Sequence, residues 1–389
     1  MRYFVIAGEA SGDLHAANLL KSLKEREPEA EFYAYGGDLM AAAGAKLLRH
    51  YRDIAYMGVV SVLMHARTIL KAMADCKRQI AELKPDVVIL VDYPGFNLTI
   101  AKYVKTHTQI PVFYYIAPKV WAWRESRVKI IKAYVDEVFS ILPFETDYFR
   151  RRGLNVHYVG NPTADEVAEW RDENCNDTAD DFIKRNGLTP GKKIIALLAG
   201  SRKQEIDYNL RKMCLAAQPL IEKGFQLVLA GVGDIDEELY LRNIPRDMLE
   251  RKEVKIVYGQ TYALLNFATS ALVTSGTATL ETALFNVPQV VCYYIPMGKI
   301  VSFLRRRFLK VRYISLVNLI AGHEVVKELV ADGMSVSAAG EELRNITFDP
   351  ESRNRMLSGY REISAALGTT GAPSRAAKEI TDCLQKLKK

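Results

Sequence analysis

No stretch of this chain approaches the ~18 consecutive apolar residues that a helix needs to cross a bilayer, so no segment reads as membrane-spanning. Cysteine is sparse and scattered. Cys76, Cys175, Cys214, Cys292 and Cys383 include no close pair. That excludes a disulfide framework or a metal site built on neighbouring cysteines, and it fits a reducing cytoplasm. The charged segment and apolar core of a secretory leader are missing, so nothing suggests export. No short internal repeat is present. Charged residues at 25% exclude a disordered or low-complexity chain. No nucleic-acid recognition motif accompanies the basic residues.

What is present is an alternation. Apolar runs at Tyr3–Ala7, Phe32–Tyr35, Val87–Val91, Val112–Ile116 and Val138–Leu142 are separated by helical patterns near Asp13–Glu25, His65–Leu83, Leu98–Lys105 and Arg127–Val135. After an acidic, Gly- and Pro-broken segment from Pro162 to Lys193, the plan starts again. Strands are expected at Ile194–Leu198, Leu227–Ala230, Lys255–Val257, Ala271–Val273 and Gln289–Tyr293. Strand–helix alternation predicts a doubly wound parallel sheet, and 389 residues with 49% apolar content support two of them. The expected division is 1–165, 166–345 and a helical tail at 346–389. The formal charge of +7 permits an anionic partner without naming one.

Open α/β sheets bind ligands beyond the carboxyl ends of their strands, and five polar stretches are expected there. Gly8-Glu9-Ala10-Ser11-Gly12-Asp13 follows the first strand. Val91-Asp92-Tyr93-Pro94-Gly95-Phe96-Asn97 follows the third. Leu198-Ala199-Gly200-Ser201-Arg202 offers a glycine, a hydroxyl and a permanently charged fork suited to phosphate oxygens. Thr274-Ser275-Gly276-Thr277 opens a helix whose free amides suit phosphate. Glu281, four residues after Thr277, shares its helix face and is placed to accept from two ribose hydroxyls. Taken alone, that last turn is better explained by ordinary capping through Ser275 or Thr277 with a solvated Glu281. The fifth stretch, Ser315-Leu316-Val317-Asn318-Leu319-Ile320-Ala321-Gly322-His323-Glu324, holds polar groups within an apolar segment.

Together with Tyr114-Tyr115-Ile116-Ala117-Pro118-Lys119-Val120-Trp121-Ala122-Trp123-Arg124, these stretches resemble the lipid-A-disaccharide synthase family, in the same order, from about Arg2 to about Leu329. Two departures are local. Ala199 stands where the family's phosphate loop commonly has proline, and Val317 stands where it often has proline. Neither removes a polar functional group.

The resemblance implies the GT-B fold, two Rossmann-like domains facing across a cleft, and an inverting glycosyl transfer. UDP-2,3-diacylglucosamine would donate its sugar to the 6-hydroxyl of 2,3-diacylglucosamine 1-phosphate, giving the β-1,6-linked disaccharide and UDP. It also implies no cofactor and no essential metal. Such a displacement needs a base at the attacking hydroxyl and a grip on the departing diphosphate. Asp92 is the candidate base, since partial desolvation at a strand end raises a carboxylate's pKa. Its alternative role is capping the turn at Pro94-Gly95. Glu9 is the second candidate base. Glu9, Ser11 and Asp13, with Gly8, Gly12 and Asn97, form the expected acceptor side. Gly200, Ser201, Arg202, Ser275, Gly276 and Thr277 are expected to hold the diphosphate, and Glu281 the ribose. Asn318 and Glu324 are further donor-side candidates.

Substrates with acyl chains call for a membrane surface. Ile300 to Tyr313 mixes Phe303, Leu304, Phe308 and Leu309 with Arg305, Arg306, Arg307, Lys310 and Arg312, a pattern for anionic lipid on the cytoplasmic side of the inner membrane. Val60 to Leu70 is a second apolar stretch. The helical tail from Arg375 to Leu387 is expected either to cross back to the first domain or to serve a homodimer. Two other functions compete: a UDP-sugar 2-epimerase, also built on two Rossmann-like domains, and a non-catalytic nucleotide-sugar-binding protein that would tolerate loss of Asp92.

Overall fold

The computed structural model describes residues 1–53, 66–123, 126–294 and 312–387. The chain divides into two compact units, the first made of Met1–Pro162 and Thr369–Lys389, the second of Thr163–Gly368. Residues 54–65 and 295–311, which carry most of the two membrane-facing candidates, lie outside the described residues.

The first unit holds strands β1 (Arg2–Ala7), β2 (Glu31–Gly36), β3 (Lys46–His50), β4 (Val87–Val91), β5 (Val112–Tyr115), β6 (Glu137–Ser140) and β7 (Val156–Tyr158). They form one sheet in the order β3-β2-β1-β4-β5-β6-β7, parallel throughout. Parallel sheets carry helices on both faces, so their central strands are apolar at every position. In β4 all of Val87-Val88-Ile89-Leu90-Val91 is buried. Successive side chains point to opposite faces, which divides the strand between two cores. Val87, Ile89 and Val91 meet Leu19, Leu20 and Leu23 of the helix Ala10–Arg26 and Ile380 and Leu384 of the helix Ala372–Leu387. Val88 and Leu90 meet Ile80, Ile100, Val104 and Ile131 from the opposite layer. Each fully buried side chain of this size contributes about 1.5–3 kcal/mol.

The helix Ala372–Leu387 therefore belongs to the first unit although the second precedes it in the chain. Arg375 fixes its start. Nε donates to Val159 O at 3.0 Å, Nη1 to Thr370 O at 2.6 Å and Nη2 to Thr369 O at 2.7 Å. Gly160 makes room for the guanidinium, since a Cβ there would lie 2.1 Å from Nη2.

The second unit holds β8 (Lys193–Leu198), β9 (Phe225–Gly231), β10 (Val254–Tyr258), β11 (Ala268–Val273), β12 (Gln289–Tyr293) and β13 (Lys327–Val330), parallel in the order β10-β9-β8-β11-β12-β13. The helix Lys203–Ala217 covers one face with Ile206, Leu210 and Met213, and the helix Val336–Phe348 packs on it. Asp349 accepts from the amides of Glu351 and Ser352, with Pro350 behind it, and so starts the helix Pro350–Leu367. That helix packs on Leu316–Ala321 and Val336–Phe348. The expected tail from 346 is thus no element of its own. Its first helix stays with the second unit, and only Ala372–Leu387 joins the first.

In each sheet the chain winds outward in both directions from one pair of neighbours. Those pairs are β1 and β4 in the first unit, β8 and β11 in the second. A crevice opens outside the carboxyl ends of such a pair. Four of the five stretches named above follow these four strands.

Candidate active site

In the first unit the loops after β1 and β4 are locked together by one missing methyl group. A Cβ on Gly8 would lie 2.1 Å from Cγ of Tyr93, so the phenol ring closes directly over the glycine. Asp92 and Tyr93 both take left-handed backbone, φ 41° and 45°. Non-glycine residues hold that conformation only when their surroundings impose it. Here the Asp92 carbonyl accepts from Tyr114 Oη at 2.5 Å and from Asn97 Nδ2 at 2.8 Å. Both donors belong to buried residues, and Asn97 also reaches Val91 O at 3.2 Å. Asn97 thus acts on the backbone of the Asp92 turn.

The same turn sets the acidity of Asp92. Loss of water around the carboxyl pushes its pKa from 3.8 up to about 6, and the negative charge of Glu9 pushes in the same direction. The Lys119 charge, the Tyr93 amide and His15 draw it back. Glu9 precedes the helix Ala10–Arg26 in extended backbone and accepts from Ser11 Oγ at 3.1 Å. Glu9, Ser11 and Asp92 therefore share one neighbourhood.

Asp13 does not present a free carboxylate. It is 3% exposed, and its oxygens accept from the amides of Gly37 at 2.7 Å, Leu39 at 3.1 Å and Met40 at 3.2 Å. A carboxylate receiving three backbone donors fastens the turn after β2. Asp13, expected on the acceptor side, thus has its carboxylate engaged within the fold. Gly12 packs its bare Cα face on Ala7, where a Cβ would meet the Ala7 Cβ at 3.4 Å.

A second acid near Asp92 has no signal in the sequence. Glu145, fully buried, accepts from Trp121 Nε1 at 2.8 Å and pairs with Ser140 Oγ at 2.5 Å. Burial pushes its pKa up to about 7, against those two hydrogen bonds. The Lys119 charge lowers it and the Asp92 charge raises it, so the two acids feel each other. Through Trp121, Glu145 anchors the segment that follows β5. It sits in the first turn of the short helix Pro143–Arg150, where an acid reads as an ordinary helix-dipole residue.

In the second unit the loops after β8 and β11 are joined by Thr274 N donating to Leu198 O at 2.8 Å. They bring Gly200, Ser201, Arg202, Ser275, Gly276 and Thr277 to one crevice edge. The two helix starts differ. Glu205 reaches back into the first loop, its Oε2 accepting from the amides of Ser201 at 3.1 Å and Arg202 at 3.3 Å. Its Oε1 lies 3.3 Å from Arg202 Nη1. This is the returning acid of a capping box, hidden in the sequence because arginine stands where serine or threonine is expected. The helix Thr277–Leu284 has no side-chain cap. Ser275 Oγ is committed to Ile314 O at 3.1 Å, whereas Thr277 is exposed. Glu281 lies one turn further and close to Tyr262, whose hydroxyl its charge helps keep protonated.

The two remaining donor-side candidates stand elsewhere. Asn318 is wholly buried and spends its amide inside the fold. Nδ2 donates to Val326 O at 2.8 Å and Glu328 Oε1 at 2.9 Å. Oδ1 accepts from the amides of Val325 at 2.8 Å and Val326 at 3.0 Å. No donor or acceptor remains for a ligand. Glu324 sits just before β13, at the amino edge of a sheet whose phosphate-type loops leave the carboxyl edge. It pairs with Lys327 at 3.4 Å beside a separate groove of about 590 Å³. The stretch from Ser315 to Glu324 runs from one edge of the sheet to the other. Only its first residue stays near Ser275.

Two Rossmann-like units with loops at both switch points and a helical C-terminal segment define the GT-B class. Solved structures share that fold. A UDP-GlcNAc 2-epimerase from Neisseria meningitidis, bound to UDP-GlcNAc, matches with TM-score 0.68 at 14% identity over 99% of this chain and all of the other. CalG4, the calicheamicin glycosyltransferase, matches with TM-score 0.58 at 15% identity over 100% of this chain and 99% of the other. Sequence is far more specific. Residues 3–370 match the lipid-A-disaccharide synthetase family. The lipid-A-disaccharide synthase of Myxococcus xanthus is 39% identical over 98% of this chain and 97% of that protein, and that of Syntrophus aciditrophicus is 37% identical over 96% and 95%. The chain belongs to the lipid-A-disaccharide synthase family of glycosyltransferases. The likeness to epimerases is one of fold alone.

Proposed function

We propose that the chain transfers the sugar of UDP-2,3-diacylglucosamine to the 6-hydroxyl of 2,3-diacylglucosamine 1-phosphate, with inversion and release of UDP. One observation carries the assignment of roles: Asp92 is held in a strained turn with its pKa raised to about 6. Such a carboxylate is ionised at neutral pH yet is a stronger base than an ordinary aspartate. Asp92 takes the proton of the 6-hydroxyl as that oxygen bonds to the anomeric carbon. The bond from that carbon to the diphosphate oxygen breaks, and its electron pair leaves with UDP. Arg202 and the uncapped start of the helix at Thr277 receive the growing charge. Glu281 accepts from the ribose. Glu9 keeps the Asp92 pKa high, and Asn97 and Asp13 hold the loops.

The test is incubation of the purified protein with both acylated sugars and mass spectrometry of the products. UDP together with the disaccharide 1-phosphate is expected. A folded protein that yields a C2-epimerised sugar, or no disaccharide, overturns the assignment.

The acylated substrates also place the working enzyme at the cytoplasmic face of the inner membrane. The alternation of Arg305, Arg306, Arg307, Lys310 and Arg312 with apolar residues supports this, each cation contributing about 1 kcal/mol near an anionic surface. Leu70, at the end of the second apolar stretch, is 64% exposed. Replacing Arg305, Arg306 and Arg307 by serine is expected to reduce co-sedimentation with anionic vesicles at low salt and to spare UDP affinity. Equal binding of variant and parent removes the attachment role.

A further inference from the structure

Glu137, His157 and Cys383 bring a carboxylate oxygen, an imidazole nitrogen and a sulfur within 4.8 Å of one another. His157 and Cys383 are 226 residues apart, so no sequence spacing announces the cluster. The fold assembles it for identifiable reasons. Phe139 of β6 pairs with His157 of β7, and Glu137, two residues before Phe139, points to the same face. The His157 ring stacks on Phe139 at 5.2 Å and 19°, which fixes its plane. On the helix Ala372–Leu387, Glu379 and Cys383 are one turn apart and face the same way. That helix brings them down over the outer strand of the sheet.

The two imidazole nitrogens have different surroundings. Nε2 lies 2.8 Å from Glu137 Oε2 and 3.8 Å from Cys383 Sγ. Nδ1 lies 3.4 Å from Glu379 Oε2. A carboxylate on the far nitrogen is the arrangement that orients a metal-bound histidine. Zinc bonds of about 2.0 Å to nitrogen and oxygen and about 2.3 Å to sulfur put tetrahedral ligand atoms roughly 3.3–3.6 Å apart. The 2.8 Å separation has to open and the 3.8 Å one to close, each by roughly half an ångström or less. Cys383 is buried, whereas Glu137 and His157 are half-buried, which leaves the fourth position toward water. Thiolate with imidazole selects zinc-class ions over magnesium or calcium.

We propose that Glu137, His157 and Cys383 form a site for one zinc-class divalent cation, which staples the helix Ala372–Leu387 to the edge of the first sheet. Glu379 holds the imidazole by Nδ1 and is a positioning residue. Glu137 opens β6 at the amino edge, whereas Asp92 follows the carboxyl end of β4. The role is therefore structural, outside the glycosyl transfer. Binding releases two protons to solvent, one from the Cys383 thiol and one from Nε2, where it is now shared with Glu137. Affinity accordingly weakens as pH falls.

Cobalt(II) reports the site directly. The full chain is stripped with chelator, Cys175 is replaced by serine to remove the exposed thiol, and cobalt is added. One equivalent with a sulfur-to-cobalt charge-transfer band and tetrahedral visible bands is expected, both displaced by zinc. The band should vanish in Cys383→Ala, and Glu379→Gln should weaken binding about 10–100-fold. Absence of the band in the Cys175→Ser protein overturns the proposal without recourse to other variants, and the cluster is then an ion pair between imidazolium and two carboxylates. A band that persists in folded Cys383→Ala overturns it equally.

Discussion

The two switch points share a topology and treat charge in opposite ways. In the first unit the loops after β1 and β4 gather carboxylates. Asp92 has lost the water around its carboxyl and has the charge of Glu9 beside it, so its pKa climbs to about 6. In the second unit the loops after β8 and β11 gather donors: Arg202, the exposed Thr277 and a helix start without a side-chain cap. The second unit also keeps an internal anion, Glu205, on the amides of Ser201 and Arg202. In the proposed reaction one crevice takes a proton and the other holds negative charge. Neither property follows from the parallel sheet, which both units have. Each follows from a few side chains placed beyond the strand ends.

Separating the two properties breaks the comparison most sharply at Asp92. Asp92→Asn is expected to lower turnover by about 10²–10⁴-fold, the usual worth of a general base, with UDP affinity by calorimetry unchanged. In the parent enzyme kcat/KM should fall as pH drops through about 6, where Asp92 takes up its proton. A folded asparagine variant with near-parental turnover would strip the first crevice of its assigned role. Next in size, Arg202→Ala should weaken UDP binding and slow the reaction together by about 10–100-fold, the loss of charge-assisted hydrogen bonds worth about 1.5–3 kcal/mol. Arg202→Lys restores only part, since lysine lacks the planar fork. Unchanged UDP affinity in the alanine variant would remove Arg202 from the donor side.

Glu145 sharpens the comparison through stability. Its pKa is about 7 in the folded protein against an ordinary 4.5, so the folded state binds more protons between those values. Stability then falls as pH rises through that window. The contribution is full below about 4.5 and lost above about 7. Glu145→Gln keeps the neutral hydrogen bonds to Trp121 and Ser140 and cannot ionise. Urea denaturation should therefore show the parent losing roughly 2 kcal/mol more than the variant between about pH 5 and pH 8. Parallel curves would mean that Glu145 is already ionised in the fold.

The central strands of both sheets were legible because burial on both faces leaves unbroken apolar runs. Val87–Val91 and Gln289–Tyr293 are read residue for residue. The unread strands are β3, β7 and β13, all at sheet edges. An edge strand has one neighbour and exposed positions, and Lys46-Leu47-Leu48-Arg49-His50 accordingly shows no apolar run. The loops were legible by residue type but not by contact. Asp13 looked like Glu9, and only the three amides around it mark it as a fastener. Asn318 looked like a ligand contact until its partners filled it. Glu145 and Glu205 went unseen because what distinguishes them is a partner across the fold or an unusual cap residue.

The helix Ala372–Leu387 closes a sheet whose first strand was made some 370 residues earlier. At about 5–20 residues per second, the ribosome adds Thr163–Gly368 in roughly 10–40 s. Throughout that interval Leu19, Leu20 and Leu23 lack the cover of Ile380 and Leu384. The second unit has all of its own helices once Leu367 has emerged. The part of the chain made first is therefore the last to be finished. A nascent chain halted before Ala372 shows an apolar stripe of the kind that chaperones hold.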